Sequence, residues 1–354
     1  MDGSPPTTIA VAGAHPAADA LSRALRGVPG IETVRADERT DGDVLGLVAR
    51  DDVDAIAFAP PVGELTSAIK HALLAGRHVL VAAPVALPVR ALVSLDEMAR
   101  RRQRVLTFDD GCAGDPRLAF VRRMTATPQA LWRPHYVRSV RTGEEHASIQ
   151  DVAFSDIACV LGVMGGAPRE VSAVSPRVDD ESGHADAMMI TLTFAGGPVA
   201  TIVVSAIEPV PQRELIVACD GRTIVFDAYD RRAPLQIHAH GRHAGPVSGH
   251  PFRETISEHP APDTHIEPLR AVAERFVAAV RARDMAVANA RDLTATAAVW
   301  EAARASAAAG GAFMPVEPGS SRPQLQVITG GGHASGEAAR PGLFLVGRGS
   351  DLAG

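Results

Sequence analysis

The sequence predicts an α/β protein in two parts: a doubly wound parallel sheet, then an α+β half built on a mainly antiparallel open sheet. Three observations predict it. Over the first 125 residues, short β-rich apolar runs alternate with helical patterns, the mark of βαβ units. Two hairpin signals follow, one about Gly196-Gly197 and one about Asp220-Gly221, and two long Ala-rich helical stretches come after them. At 354 residues the chain is too long for one ordinary core. The expected division is therefore 1–125, 126–315 and a tail at 316–354.

The elements can be justified in order. Apolar, β-branched runs predict strands over Thr8 to Ala12, Glu32 to Arg35, Ala55 to Ala59, His78 to Ala82 and Val105 to Phe108. Helical spacing predicts helices near Ala17 to Leu25, Val44 to Arg50, Glu64 to Ala75 and Val89 to Arg101. This alternation is a Rossmann-type layout. The pattern then changes. "SIQDVAFSDIACVLGVM", residues 148 to 164, places Ile149, Val152, Ile157, Val160 and Leu161 on one helical face. The glycine turns predict two strands in "AMMITLTFAGGPVATIVVSAI" and two in "ELIVACDGRTIVFDA". Helices over about 266 to 283 and 291 to 308 complete this second half, with Leu269, Val272, Phe276 and Val280 as the buried stripe of the first. From about residue 316, Gly, Ser, Pro and Arg without period predict a disordered tail, with "LFLVG" near its end able to dock.

Composition excludes several classes. Hydrophobic residues make up 46% and charged ones 21%, the balance of a globular protein. A net charge of -6 gives no electrostatic reason to expect nucleic acid or an anionic membrane as partner. No segment approaches the roughly 18 uninterrupted apolar residues of a membrane span, and the N-terminus lacks a basic stretch before its apolar run, so a cytoplasmic protein is expected. Cys112, Cys159 and Cys219 are widely spaced and odd in number, which fits reduced thiols and no CxxC metal site. Of the 35 basic residues only Lys70 is a lysine, so chemistry that needs a neutral amine has that one side-chain candidate. His238, His240 and His243 are spaced to meet a metal if their loop wraps. A solvated Gly- and Pro-rich loop is the expected reading, and no metal is assigned.

Several stretches, in order, carry a family resemblance: "TIAVAGA", "DDVDAIAFAPP", "AIKHALLAGRHVLVAAPVAL", "DPRLAFVRRM", "QDVAFSD", "VATIVVSAI", "LIVACDGRTIVFD" and "PLRAVAERFVAAVRARD". Over roughly residues 8 to 316 the chain resembles the glucose-fructose oxidoreductase, inositol dehydrogenase and MocA (Gfo/Idh/MocA) family. The resemblance implies NAD or NADP as cofactor, hydride transfer at a sugar or cyclitol carbon, and a sugar-like ligand. It also implies an oligomer formed through the open face of the second sheet.

Residue by residue, the resemblance implies a site whose chemistry has been replaced. The glycine turn falls on Gly13-Ala14-His15-Pro16-Ala17-Ala18, with His15 where a glycine lets the backbone approach the pyrophosphate. His15 is either a replacement phosphate ligand or, as expected, an exposed loop histidine. Asp37, with Glu38 and Arg39 beside it, stands where a ribose-binding acid is sought. The third-strand turn keeps Pro60 and Pro61, but its polar partner becomes Leu65. The family's Glu-Lys-Pro becomes Ala82-Ala83-Pro84, so Ala83 replaces the lysine that would hydrogen-bond the reacting hydroxyl. Ala113 replaces an arginine, and Ser155 replaces the family's histidine. Asp110, Asp151 and Ser155 remain as catalytic candidates. Asp109, Asp110 and Cys112 sit where a strand ends, at the edge α/β sites use, or are turn residues. Asp151 fits a sugar-hydroxyl ligand and a helix cap equally.

The expected function is therefore an oxidoreductase-like protein that has lost ordinary hydride transfer. It would act as a binding or partner subunit, as a homo-oligomer or beside an active paralogue. The rival is an active NAD(P)-dependent oxidoreductase that uses substitute residues such as Asp110, Asp151 or His15. A third possibility is a non-redox enzyme acting on the same class of substrate.

Overall fold

Apolar runs bounded by glycine and proline become five parallel strands in this computed structural model: β1 (Thr7–Gly13), β2 (Ile31–Arg35), β3 (Ala55–Ala59), β4 (His78–Val81) and β5 (Leu106–Phe108). Their order is β2-β1-β3-β4-β5. The structure describes residues 7–13, 16–35, 44–60, 62, 64–112, 114–126, 132–143, 148–176, 186–240, 252–255, 267–283 and 293–317. Every residue of β3 is buried, as a central parallel strand covered on both faces must be. Its alternate residues enter two cores. Ala10, Ile56 and Phe58 pack with Ile69 and Leu73 of α3 (Leu65–Leu74) and Leu92 and Leu95 of α4 (Val89–Arg102). Ile9, Val11 and Ala57 pack with Leu21 and Leu25 of α1 (Ala17–Arg26). The short α2 (Val44–Val48) and α5 (Pro116–Ala126) complete the run of helices.

The second sheet has nine strands. They are β6 (Pro134–Thr142), β7 (Glu170–Val174), β8 (Ala187–Thr193), β9 (Val199–Ser205), β10 (Gln212–Cys219), β11 (Arg222–Asp227), β12 (Leu235–His240), β13 (Phe252–Thr255) and β14 (Met314–Pro315). The order is β13-β12-β11-β10-β6-β9-β8-β7-β14, antiparallel throughout except where β6 meets β9. Both expected hairpins form, β8–β9 about Gly196-Gly197 and β10–β11 about Asp220-Gly221. One face of the sheet packs on α6 (Ile149–Met164), where Phe154, Ile157 and Val160 join Val137, Ile190, Ile202 and Val217. The helix α8 (Leu293–Ala308) lies against α6, α4 and β7.

The last helix to place is α7 (Pro268–Ala282), and its destination differs from the sequence expectation. Its stripe of Val272 and Phe276 is buried with Ile9, Leu21 and Leu25, so α7 completes the parallel-sheet core rather than the second half. An amphipathic stripe specifies that a helix face is buried but not which sheet buries it. The strands β6, β7, β12, β13 and β14 had no counterpart in the sequence reading. The expected tail lies, from Pro318 onward, outside the described residues. No helix among the described residues is long and apolar enough to cross a membrane.

Candidate functional site

In a doubly wound sheet, ligands bind beyond the carboxyl ends of the strands, at the point where strand order reverses. Here that point lies between β1 and β3, where Gly13 pairs with Ala59. Gly13 has φ +146°, and a Cβ on it would lie 2.1 Å from the Ala59 carbonyl oxygen, so only glycine allows this approach. At the end of β2, Arg35 hydrogen-bonds Asp19 of α1. The expected site residues Ala14, His15, Asp37 and Pro61 lie outside the described residues, as do Glu38, Arg39, Gly63 and Ala113. His238 and His240 stand on β12, and His243 is also outside. Among the described residues no cluster of three or more ligating side chains occurs.

The segment after β4, Ala82 to Pro88, is held by carboxylates from the other half of the chain. Asp151 Oδ1 accepts the Ala86 N–H at 3.0 Å, and Glu301 Oε1 of α8 accepts the Val89 N–H at 2.9 Å. Pro88 precedes α4 and makes no side-chain cap, so Glu301 supplies the hydrogen bond that a capping residue otherwise would. Asp151 stands in the first turn of α6, and its role is thus a brace between α6 and this segment. Burial pushes its carboxyl above the ordinary value, and the Ala86 N–H only partly offsets that.

The loop after β5 closes over Ser155. Gly111 takes a left-handed conformation, φ +70°, and a Cβ there would fall 2.2 Å from Ser155 Oγ and 3.0 Å from Pro84 Cγ. Ser155 is 1% exposed, and its hydroxyl donates to the Asp110 carbonyl oxygen at 3.1 Å. Pro84, Gly111 and Ser155 therefore meet at the spot where the sequence places the candidate chemistry. Asp109 Oδ1 accepts the Gly111 N–H, and Asp110 Oδ1 accepts the Cys112 N–H, each an Asx-type turn bond. Asp110 Oδ2 also pairs with Arg122 at 3.2 Å. Burial, above all, pushes the Asp109 carboxyl up, and neighbouring Asp110 adds to it; Arg275 and Arg213 act against both.

Two anchors fix this loop. Asp115, 1% exposed, caps α5 by accepting the Arg117 N–H and grips the Arg117 guanidinium at 2.9 and 2.6 Å. Burial pushes the Asp115 carboxyl up, but the bonds and charge of Arg117 outweigh it and hold it below its ordinary value. From the second sheet, Arg213 of β10 donates to the Gly111 carbonyl oxygen at 3.0 Å. Arg213 was not anticipated. Its register opposite Arg141, which itself pairs with Asp156 at 2.8 Å, follows from strand pairing that the sequence does not display.

Residues 107–225 match the family model described as the GFO/IDH/MocA C-terminal domain. The chain carries the Gfo/Idh/MocA fold. Solved structures with the same fold include GenD2 from gentamicin A biosynthesis in complex with NAD (TM-score 0.71, 20% identity, 90% of this chain and 98% of that one). UDP-N-acetylglucosamine 3-dehydrogenase GnnA from Acidithiobacillus ferrooxidans aligns with a TM-score of 0.70 and 20% identity, covering 85% of this chain and 97% of its own. An inositol dehydrogenase homolog from Azotobacter vinelandii, complexed with NADH and myo-inositol, aligns at 0.70 with 16% identity, covering 88% and 98%. Sequence comparison with curated proteins gives no match. In the Gfo/Idh/MocA fold of this chain, Ala83 and Pro84 lie directly after β4, and Ser155 lies on α6 facing the loop after β5.

Proposed function

We propose that this protein is a Gfo/Idh/MocA-type scaffold whose hydride-transfer site has been filled in, and that it serves as a ligand-binding or partner subunit. The observation that carries this reading is the seal of Gly111 and Pro84 over Ser155. A site that had merely lost its histidine would leave a cavity. Here the backbone of Gly111 stands against the serine, and the serine's proton is committed to the Asp110 carbonyl.

Oxidation of an alcohol by NAD(P) needs a group that takes the hydroxyl proton as the hydride leaves. Ala83 presents a methyl group, Ser155 a hydroxyl already donating, and Asp110 a carboxylate held by Cys112 and Arg122. Gly13 keeps the close strand-end approach that a dinucleotide edge requires, but the residues beside the expected nicotinamide position do not fit hydride transfer. No redox step is therefore assigned to them. The surface for a partner is the outer face of the nine-stranded sheet. There Glu214, Val140, Val203, Met189 and Val174 form one cross-strand row, with Met189 44% and Val174 42% exposed.

The test combines calorimetry with NAD⁺, NADH, NADP⁺ and NADPH and an absorbance assay using myo-inositol and UDP-N-acetylglucosamine. The expected result is no substrate-dependent change in NAD(P)H absorbance from folded protein. Sustained turnover of either substrate refutes the proposal.

A second reading, an active oxidoreductase with substitute residues, is favoured by Asp109, a carboxyl pushed up by burial at the end of β5. That reading expects turnover that Asp109→Asn abolishes.

A further inference from the structure

Two thiols that the candidate site does not use meet beneath its seal. Cys112, the last residue of the turn that covers Ser155, lies with its sulfur 2.9 Å from that of Cys159. Both side chains are buried, 0% and 5% exposed, and both are free thiols. They are 47 residues apart in sequence, and Cys159 lies one helical turn beyond Ser155 on α6. A disulfide needs the sulfurs at about 2.05 Å, so less than about 1 Å of closure separates these thiols from a bond.

We infer that Cys112 and Cys159 form an intramolecular disulfide when the protein meets hydrogen peroxide, and that the bond fixes the Asp109–Cys112 turn on α6. One sulfur attacks a peroxide oxygen, breaking the O–O bond and forming a sulfenic acid as the first water leaves. The second sulfur then attacks the first, and the sulfenic oxygen leaves as the second water. Each thiol gives up its hydrogen, the sulfurs together lose two electrons, and the peroxide gains them. A small oxidant suits a pair this deeply buried. In the reduced protein the hydrogen bond to Cys159, then burial, push the Cys112 thiol well above its ordinary value, so Cys112 rests as the thiol there.

Because the Ser155 hydroxyl donates to the Asp110 carbonyl and Gly111 rests against Ser155, a bond one turn along α6 ties the turn down at its other end. The third thiol, Cys219, supplies an internal control. Burial pushes it up to about 12, and no other sulfur is paired with it among the described residues.

The experiment treats the folded protein with hydrogen peroxide, unfolds it, alkylates the remaining thiols and maps its peptides by mass spectrometry. The expected result is a reductant-sensitive peptide joining Cys112 to Cys159, with Cys219 alone alkylated. Amide exchange at Gly111 and Cys112 should slow at least about tenfold in the oxidised protein. Alkylation of all three cysteines after peroxide overturns the inference. So does sulfinic acid on Cys112 or Cys159 without the cross-link, or a cross-link that uses Cys219. Cys159→Ser should abolish the joined peptide and the exchange effect; if that variant does not fold, the wild-type peptide map decides.

Discussion

The decisive perturbation is Ser155→His, which puts an imidazole where the family resemblance places one. Ser155 is 1% exposed, and its Oγ lies 2.2 Å from where a Cβ on Gly111 would be. An imidazole branching from the same Cβ must displace Gly111, Pro84 or both. Overpacking of a filled site costs about 1–3 kcal/mol, and loss of the hydrogen bond to Asp110 costs about 0.5–1.5 kcal/mol more. The expected destabilisation is therefore about 2–4 kcal/mol, a fall in melting temperature of about 3–5 °C for a chain of this length. Differential scanning fluorimetry of wild type, Ser155→His and Ser155→Ala measures it. The alanine variant loses only the hydrogen bond and should fall by about 1 kcal/mol. A histidine variant as stable as wild type would show that the turn is not seated on Ser155, and the filled-site reasoning would fail with it.

Other outcomes follow from buried polar groups. Burial drives His78 down from 6.5 to about 4, and its Nδ1 accepts the Val105 N–H. Between those values the unfolded chain binds a proton that the folded protein does not, so stability falls as pH drops from 6.5 toward 4. After allowance for solvent screening, about 1–2 kcal/mol should be lost over this window, and His78→Asn should flatten the profile in acid urea titrations. Asp115→Ala strips a buried ion pair and a helix cap together and should cost about 3–5 kcal/mol in chemical denaturation, whereas Asp115→Asn should retain the cap and lose less.

Much of this architecture is written in local periodicity. The unbroken apolar run of β3 and the glycine turns of the two hairpins specify their elements without tertiary help. β6 is not legible in that way, because its inward face carries Ser139 and Arg141, which are tolerated only through Asp156 of α6. The candidate site divides similarly. Replacement of lysine and histidine at Ala83 and Ser155 could be read by position against the family pattern. The closure of the turn over Ser155 could not, since it depends on the left-handed Gly111 and on Arg213 arriving from a strand 102 residues later.

The carboxylate of Glu301 on the Val89 N–H has a consequence for synthesis. During translation the start of α4 leaves the ribosome 212 residues before the side chain that completes it. With α7 also required to cover β1 and α1, the parallel sheet cannot mature as an early, self-sufficient module. The growing chain carries an unfinished first half until α7 and then Glu301 of α8 emerge, and a fragment ending before α7 should depend on chaperones rather than fold alone.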